Sequence, residues 1–165
     1  MFEFEIPWNY TAQTFTNMNF LNSPILNENG FVGISQDGHF TYNEKRIRFF
    51  GANLGMGANF PEHDESEAAA RRLAKLGCNL VRLHHMDMRY EREGIWLNTG
   101  DGSKRTLDPD QLERLDYLID QLKQHGIFVN LNLHVSRTLT EADGIEKDDH
   151  MTQFNKGVDI FDSKM

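Results

Sequence analysis

The amino-acid sequence predicts an α/β protein in which helices alternate with the strands of a parallel sheet. Two consecutive segments support this prediction, because each contains a helical pattern of apolar residues, then a glycine, then a short apolar run. The two glycines, Gly77 and Gly126, stand where a left-handed residue commonly ends a helix. Short connections between such segments are typical of βαβ units, whose strands lie parallel in one sheet.

A β-hairpin is expected before these units. The runs Phe31–Ile34 and His39–Tyr42 flank the pair Asp37-Gly38, and an Asp-Gly pair between two strand-like runs favours a tight hairpin turn. A second turn then leads into the alternating stretch Arg46–Asn53. We expect this stretch to form one further strand.

The first helix is predicted to begin at a capping box. In the segment Asp64–Glu67, Asp64 is expected to accept hydrogen bonds from first-turn amides while Glu67 reaches back. The buried strip of this helix should consist of Ala69, Leu73 and Leu76. A buried strand is then expected over Cys78–His85, directly after Gly77.

The second helix is predicted to begin with Asp108 as N-cap, Pro109 at the first helical position and Gln111 as the reciprocal partner. After Gly126, a strand is expected over Ile127–His134. The apolar strip of the helix should consist of Leu112, Leu115, Leu118, Ile119 and Leu122.

The composition excludes several classes of function. Of the 165 residues, 39% are hydrophobic and 25% are charged, which is ordinary for a globular domain. The net charge of -8 repels phosphate backbones, so nucleic acid is not an expected partner. The single cysteine, Cys78, excludes a disulfide within the chain. No apolar run approaches the ~18 residues of a membrane span, so no membrane partner is expected.

The ends of the chain differ in composition from its middle. Residues 1–30 are rich in Asn, Thr and Phe and are expected to form an irregular lead-in, with residues 31–165 as the domain that follows. A long polar loop is expected after Val135. The first residues lack the basic and apolar regions of a signal peptide, so the chain as written is expected in the cytoplasm. If an upstream segment was removed, a secreted or periplasmic protein is expected.

Polar residues gather at the carboxyl ends of the predicted strands, where parallel α/β sheets bind ligands. These ends contain Asn53, the stretch Arg82–Asp87 and the stretch Asn132–Arg137. The alternation of a strand places Arg82 and His84 on one face and Val81 and Leu83 on the other. In the strand over Ile127–His134, it separates Val129, Leu131 and Leu133, expected toward the helices, from Asn130, Asn132 and His134.

Such side chains are suited to binding sugars. Hydroxyl groups need planar donors and acceptors, and a guanidinium keeps a neighbouring carboxylate nucleophile ionised. The alternative is that these residues only satisfy one another or the backbone. Trp96, in the loop after the strand at Cys78–His85, could stack on a sugar ring or only pack its loop. The candidate substrate-binding residues are Asn53, Arg82, His84, His85, Asn132, His134 and Trp96.

Several motifs resemble the clan of glycoside hydrolases with (β/α)8 barrels, and family 5 cellulase-like enzymes most closely. The segments Asp37–Phe40 and Lys45–Leu54 are similar to the hairpin and first barrel strand of that clan. Leu76–Arg82 matches its second strand, and Asn132–His134 is similar to its third. The sequence departs from family 5 at Val81–His85, where the family more often has a proline soon after the arginine.

The resemblance implies a partial (β/α)8 TIM barrel, namely its first three βα units preceded by a β-hairpin. A complete barrel needs roughly 250 residues. The implied activity is retaining hydrolysis of β-linked glycans, with an oligo- or polysaccharide as substrate and no cofactor. In the family, the arginine matched by Arg82 supports the nucleophile, and the histidine matched by His134 lines the sugar site.

The resemblance also implies where the reacting carboxylates lie. The family uses an Asn-Glu pair at the end of the fourth strand, whose Glu is the acid/base, and a nucleophilic Glu on the seventh strand. Both would lie outside this chain, so no catalytic residue is assigned and the chain alone is expected to be inactive.

Two other functions stay open at this point. His84, His85, Asp87 and His134 could bind zinc in a metal-dependent barrel hydrolase. Against this, adjacent His84 and His85 should point to opposite faces of a strand, and the sequence has no Cys pair. The other alternative is a non-catalytic carbohydrate-binding or interaction domain, in which bare sheet edges would need a partner. The sequence leaves the oligomeric state open.

Overall fold

A computed structural model describes Pro7 and residues 14–25, 30–88, 94–103, 105–135, 137 and 139–144. Within these residues it contains two three-stranded sheets and two α-helices, which confirms the α/β class. The described strands do not close into a barrel, and none of the described helices is long and apolar enough to cross a membrane.

The chain forms two compact units, each assembled from three segments. Unit 1 consists of Met1–Asn53, Glu62–Arg82 and Tyr117–Asn130. Unit 2 consists of Leu54–Pro61, Leu83–Asp116 and Leu131–Met165. Most of the predicted lead-in and most of the predicted loop after Val135 lie outside the described residues.

The first sheet confirms the predicted hairpin and adds a strand to it. Its strands are β1 (Gly33–Ile34), β2 (Phe40–Tyr42) and β3 (Lys45–Arg46), paired antiparallel in that order. The turn between β2 and β3 consists of Asn43 and Glu44, with φ of 51° and 61°. Two consecutive left-handed residues match the right-handed twist of the flanking strands, which explains the tight connection.

The predicted strand Arg46–Asn53 is wrong as one element. β3 ends at Arg46, and β4 (Gly51–Gly55) belongs to the second sheet. The amide of Asn79 explains the break, because its Nδ2 donates to Arg48 O and its Oδ1 accepts from Phe50 N, both at 2.8 Å. These side-chain bonds take the place of strand pairing between the two elements.

The second sheet is the predicted parallel sheet. It contains β4, β5 (Leu80–His84) and β6 (Phe128–Leu131) in that order. Phe128 N donates to Asn79 O at 2.9 Å and Asn132 N donates to Leu83 O at 3.1 Å, so donor and acceptor both advance in the same direction. β5 and β6 are therefore parallel.

Helix α1 (His63–Lys75) leads from β4 to β5, but it begins earlier than expected. Its N-cap is Glu62, whose backbone N donates to Glu65 Oε2 at 3.1 Å. The predicted capping box at Asp64–Glu67 is therefore wrong. A carboxylate three residues after any polar residue fits the capping pattern, and the sequence offers several such pairs in this segment.

The buried face of α1 also differs from the prediction. Ser66, Ala70 and Ala74 are buried, whereas Leu76 of the predicted strip is 56% exposed. Both strips have helical spacing, so the pattern alone allows either. The small side chains form the buried one because they permit close packing.

Both α-helices end as predicted. Gly77 has φ of +81°, its N donates to Ala74 O at 2.9 Å, and Cys78 N donates to Leu73 O at 3.0 Å. This pair of bonds is the Schellman motif, and it satisfies the last carbonyls of α1.

Burial raises the pKa of the Cys78 thiol, which therefore stays protonated and unreactive near neutral pH.

Helix α2 (Pro109–Gln124) leads from β5 to β6 and begins at the predicted N-cap. Asp108 Oδ1 accepts from Asp110 N at 2.9 Å and from Gln111 N at 3.3 Å. Its most buried residues are Leu115, Leu118 and Leu122, all members of the predicted strip.

The two later strands differ in how they follow the predicted alternation. In β5, Val81 and Leu83 are fully buried and Arg82 is exposed, as predicted. At the end of β6 and just after it, however, Leu131 is 45% exposed and Leu133 is 79% exposed, so the expectation that these two residues pack toward the helices is wrong. The strand ends at Leu131 rather than His134.

In unit 1, Tyr117 of α2 makes a polar contact with α1. The Tyr117 hydroxyl donates to Glu67 Oε1 at 2.9 Å, and its ring stacks on His63 with centroids 3.8 Å apart. The hydrogen bond from Tyr117, followed by that from Arg71, holds the pKa of Glu67 below its ordinary value of 4.5. A depressed carboxyl pKa stabilises the fold above the unfolded pKa, and this contribution is lost as pH falls through the folded pKa.

We expect Leu118→Ala to lower the free energy of unfolding by about 2–5 kcal/mol, because it leaves a cavity in a packed core. Leu118 is fully buried, and Leu133, which is 79% exposed, supplies the matched control. Leu133→Ala should change stability by no more than about 0.5 kcal/mol. Urea unfolding followed by circular dichroism measures both, and equal effects of the two substitutions would contradict the described core.

We expect Tyr117→Phe to raise the pKa of Glu67 toward its ordinary value. Stability should then fall less steeply than in the wild type as the pH drops below about 4.5, the ordinary glutamate value. Urea midpoints measured between neutral and acid pH test this. The same substitution in a Glu67→Gln background should leave the pH dependence unchanged, and a persisting difference there would assign the effect to another group.

Candidate functional site

Two of the predicted binding residues meet at the carboxyl ends of β5 and β6. The Nδ1 atom of His84 lies 3.0 Å from Oδ1 of Asn132. Because an amide oxygen only accepts, Nδ1 carries the proton in this contact, and the Nε2 atom of a neutral His84 ring is then an acceptor. The pair thus leaves one acceptor on His84 that suits a hydroxyl group.

A buried asparagine that was not predicted supports His84. Asn59 ends the 3-10 helix Met56–Asn59 and is fully buried. Its Nδ2 donates to His84 O at 2.7 Å and to Met56 O at 2.9 Å. The amide therefore ties the segment after β4 to the last residue of β5.

His85 does not continue the strand. Its φ is 56°, and its ring contacts the His84 ring edge to face, with centroids 4.1 Å apart. The expectation that His84 and His85 point to opposite faces is wrong, because β5 ends at His84 and the chain turns at the next residue. Both imidazoles are partly exposed.

The loops after β5 and β6 meet at Asp87, a residue that is only 2% exposed. Its Oδ2 accepts from Val135 N at 2.6 Å and from Arg137 N at 2.8 Å. The Nδ1 atom of His134 lies 3.9 Å from the same oxygen, which is an ion-pair distance when the imidazole is protonated. The predicted residue His134 is thus placed at the rim of this contact, with 37% of its side chain exposed.

Trp96 is held in the loop that follows β5. Its Nε1 donates to Asp87 O at 3.3 Å, and its backbone forms an antiparallel bridge with Leu107. The guanidinium carbon of Arg137 lies 4.5 Å from the centroid of the indole, which is a cation–π contact. The residue is partly exposed, and Arg137 lies over one face of the ring.

The remaining predicted residues, Asn53 and Arg82, belong to unit 1. Asn53 is exposed within β4. Arg82 is exposed on β5, on the face opposite to the buried Val81 and Leu83. Unit 2 thus holds five of the seven predicted residues, namely His84, His85, Trp96, Asn132 and His134.

The described residues contain no group of three or more His, Cys, Asp or Glu side chains that could hold a metal ion. Of the four residues considered for zinc, His84 contacts His85 and pairs with Asn132. Asp87 lies 3.9 Å from His134 and accepts from backbone amides. Arg89, two residues after Asp87, lies outside the described residues.

A cavity of about 710 Å³ lies in unit 1, and none of the seven predicted residues lines it. Its walls include the cations Lys45, Arg46 and Arg48 beside the aromatic rings of Tyr42 and Phe128. It therefore shares no lining residue with the predicted sugar site.

Asn59 was not predicted to have a role in the candidate site, and the contacts that Asp87 and Arg137 make there were not predicted either. Asn59 sits in a segment without periodicity, so no sequence pattern singles it out. Asp87 follows a strand end, which marks it as a candidate for ligand binding but not as an acceptor of distant amides. Arg137 stands three residues after His134, and only the fold brings it over Trp96.

We expect Asn59→Ala to destabilise the protein by about 1–3 kcal/mol, because two carbonyls lose the donor that the fully buried Asn59 amide provides. Asn130, which is exposed on β6, supplies the control. Asn130→Ala should change the free energy of unfolding by no more than about 0.5 kcal/mol. Urea unfolding measures both variants, and a neutral Asn59→Ala would show that water or another donor replaces the amide.

Comparison with known proteins assigns the chain to a family. Searches among curated proteins and among solved structures return no match. The family model described as Cellulase (glycosyl hydrolase family 5) matches residues 40–162, which is well over half of the 165 residues. This match confirms the resemblance seen in the sequence motifs. The chain belongs to glycosyl hydrolase family 5, the cellulase family.

Proposed function

We propose that this chain supplies sugar-binding residues for the retaining hydrolysis of β-linked glycans. The family to which the chain belongs consists of glycoside hydrolases that act on polysaccharides. The observation that carries the finer proposal is the contact between His84 and Asn132, at 3.0 Å, at the carboxyl ends of two parallel strands. Parallel α/β sheets bind their ligands at these ends.

The polar groups near this contact have the chemistry that sugars need. Sugar hydroxyls both donate and accept, so they pair well with amides and with neutral imidazoles. Asn132 offers an amide and His84 offers an imidazole. His134 adds a second imidazole that is partly exposed, and Trp96 adds an aromatic ring. Arg82 keeps the role that the resemblance implies, which is to hold a carboxylate nucleophile in its ionised form.

We propose that β4, β5 and β6, with α1 and α2, are the first three βα units of a (β/α)8 barrel. Their order in the sheet, the parallel pairing of β5 and β6 and the alternation with helices support this assignment. The antiparallel sheet β1-β2-β3 would then be the hairpin element that precedes the barrel.

A retaining mechanism needs two carboxyl groups about 5–5.5 Å apart, one as acid/base and one as nucleophile. Asp87, the carboxylate at the ends of β5 and β6, has a 3% exposed side chain and accepts from two backbone amides. It is therefore unsuited to either role. We propose that both reacting glutamates lie outside β4, β5 and β6.

We expect the purified chain to show no turnover of chromogenic β-glycosides or β-linked polysaccharides, because we place both reacting glutamates outside β4, β5 and β6. Release of reducing sugar, compared with a heat-denatured sample, is the measurement. Turnover that is lost on His84→Ala would contradict the placement of the glutamates.

We expect the same chain to bind soluble β-linked oligosaccharides, and His84→Ala or Asn132→Ala to weaken this binding by roughly tenfold through lost hydrogen bonds. Isothermal titration calorimetry with a panel of linkages measures the effect. His39→Ala, at a partly exposed histidine between β1 and β2, is the matched control. Equal binding by all three variants would remove the sugar-binding assignment.

A carbohydrate-binding or interaction domain without catalysis is the second candidate. The exposed Leu131 and Leu133 favour it, because they offer an apolar contact beside the polar strand ends. Reading the native gene beyond the codon for Met165 separates the two. A frame that continues into a strand ending in Asn-Glu supports the hydrolase, and a stop codon supports the binding domain.

A further inference from the structure

We infer that Asp87 is a positioning residue. Its carboxylate binds the backbone at Val135 and Arg137, holds the turn at His134 and Val135 against the Trp96 loop, and so places both His134 and Trp96. The inference rests on the proposed function for the sugar-binding role of these two residues. The contacts that carry it lie within unit 2 and do not depend on a ligand.

Asp87 joins two segments that have little regular structure of their own. Its carboxylate accepts from Val135 N and Arg137 N, which follow β6, and its backbone oxygen accepts from Trp96 Nε1, which follows β5. Loops without secondary structure depend on such contacts for a defined position. Leu133, directly before the turn, is 79% exposed, so apolar burial does not fix the turn there.

The contact with Arg137 extends the effect of Asp87 to the indole. Because the carboxylate holds the backbone N of Arg137, it also holds the point from which the Arg137 side chain extends to its guanidinium. The guanidinium carbon lies 4.5 Å from the centroid of the Trp96 ring and occupies one of its faces. Asp87 therefore sets the position of the indole through Nε1 and sets which of its faces is covered.

Two simpler roles for Asp87 fit the geometry less well. A carboxylate that is 3% exposed and accepts from two amides has no surface left for a substrate. An ion pair with His134 alone would be a weak constraint, since the separation of 3.9 Å exceeds hydrogen-bond distance. The two amide contacts, at 2.6 and 2.8 Å, are the short ones.

The test compares Asp87→Ala and Asp87→Asn with the chain that keeps Asp87. All three proteins carry Trp8→Phe, so that Trp96 is the one tryptophan left of the two in the sequence. Hydrogen exchange of the Val135 and Arg137 amides, followed by NMR, reports the turn. Acrylamide quenching of fluorescence reports the exposure of Trp96. Titration with the β-linked oligosaccharides reports binding.

Asp143→Asn is the matched control. Asp143 is buried to a similar extent, at 5%, and its Oδ2 accepts from Thr140 N at 2.8 Å and lies 3.2 Å from Thr140 Oγ1. The control therefore also weakens a buried carboxylate contact in unit 2. It should leave exchange at Val135 and Arg137, and quenching of Trp96, as in the wild type.

We expect Asp87→Ala to speed exchange of the two amides by roughly tenfold to a hundredfold, the size of losing hydrogen bonds to a charged group. Quenching of Trp96 should rise in the same variant. Asp87→Asn should give a smaller change, because a neutral amide oxygen still accepts but more weakly. Oligosaccharide affinity should fall in the same order, with Asp87→Ala lowest.

Wild-type exchange and quenching in both Asp87 variants would overturn the inference, whatever the binding result. A looser turn with unchanged oligosaccharide affinity would overturn the positioning role while leaving the proposed function intact. If the wild type binds none of the oligosaccharides, the proposed function fails. The exchange and quenching data then still decide whether Asp87 holds the turn.

Discussion

Backbone amides and carbonyls at the ends of strands must find hydrogen-bond partners, and in this protein side chains provide several of them. Asn79 bonds the backbone before β4, Asn59 bonds the last carbonyl of β5, and Asp87 bonds two amides after β6. Each side chain lies far in sequence from the group that it satisfies. The places where strands stop, and therefore where polar side chains become accessible, depend on these contacts.

The same contacts shape the chemistry of the site in unit 2. His84 is held through its carbonyl by Asn59 and through its ring by Asn132, so its position and its proton are both set by amides. A rigid first layer of residues with a supporting layer behind it is the arrangement that precise recognition of hydroxyl groups requires. Under the proposed function, this arrangement would bind the hydroxyl groups of a polysaccharide, the substrate class of family 5.

Much of the fold could be predicted because its determinants are local. The helix ends at Gly77 and Gly126, the N-cap at Asp108 and the alternation of β5 depend on residues within a few positions of one another. The incorrect expectations share a different cause. The end of β3, the buried face of α1 and the exposure of Leu133 depend on what packs against each segment, which periodicity does not report.

By itself the sequence determined the class of the fold, the order of helices and strands, the family and the candidate residues at the strand ends. Periodicity, capping residues and motif spacing are properties of neighbouring residues, and they survive without a structure. Only the tertiary structure decided that Asn59 meets His84 across 25 positions, and that Asp87 meets Val135 across 48. Hydrogen bonds between distant segments form only when the packing of the whole brings their atoms within about 3 Å, and no local pattern encodes that distance.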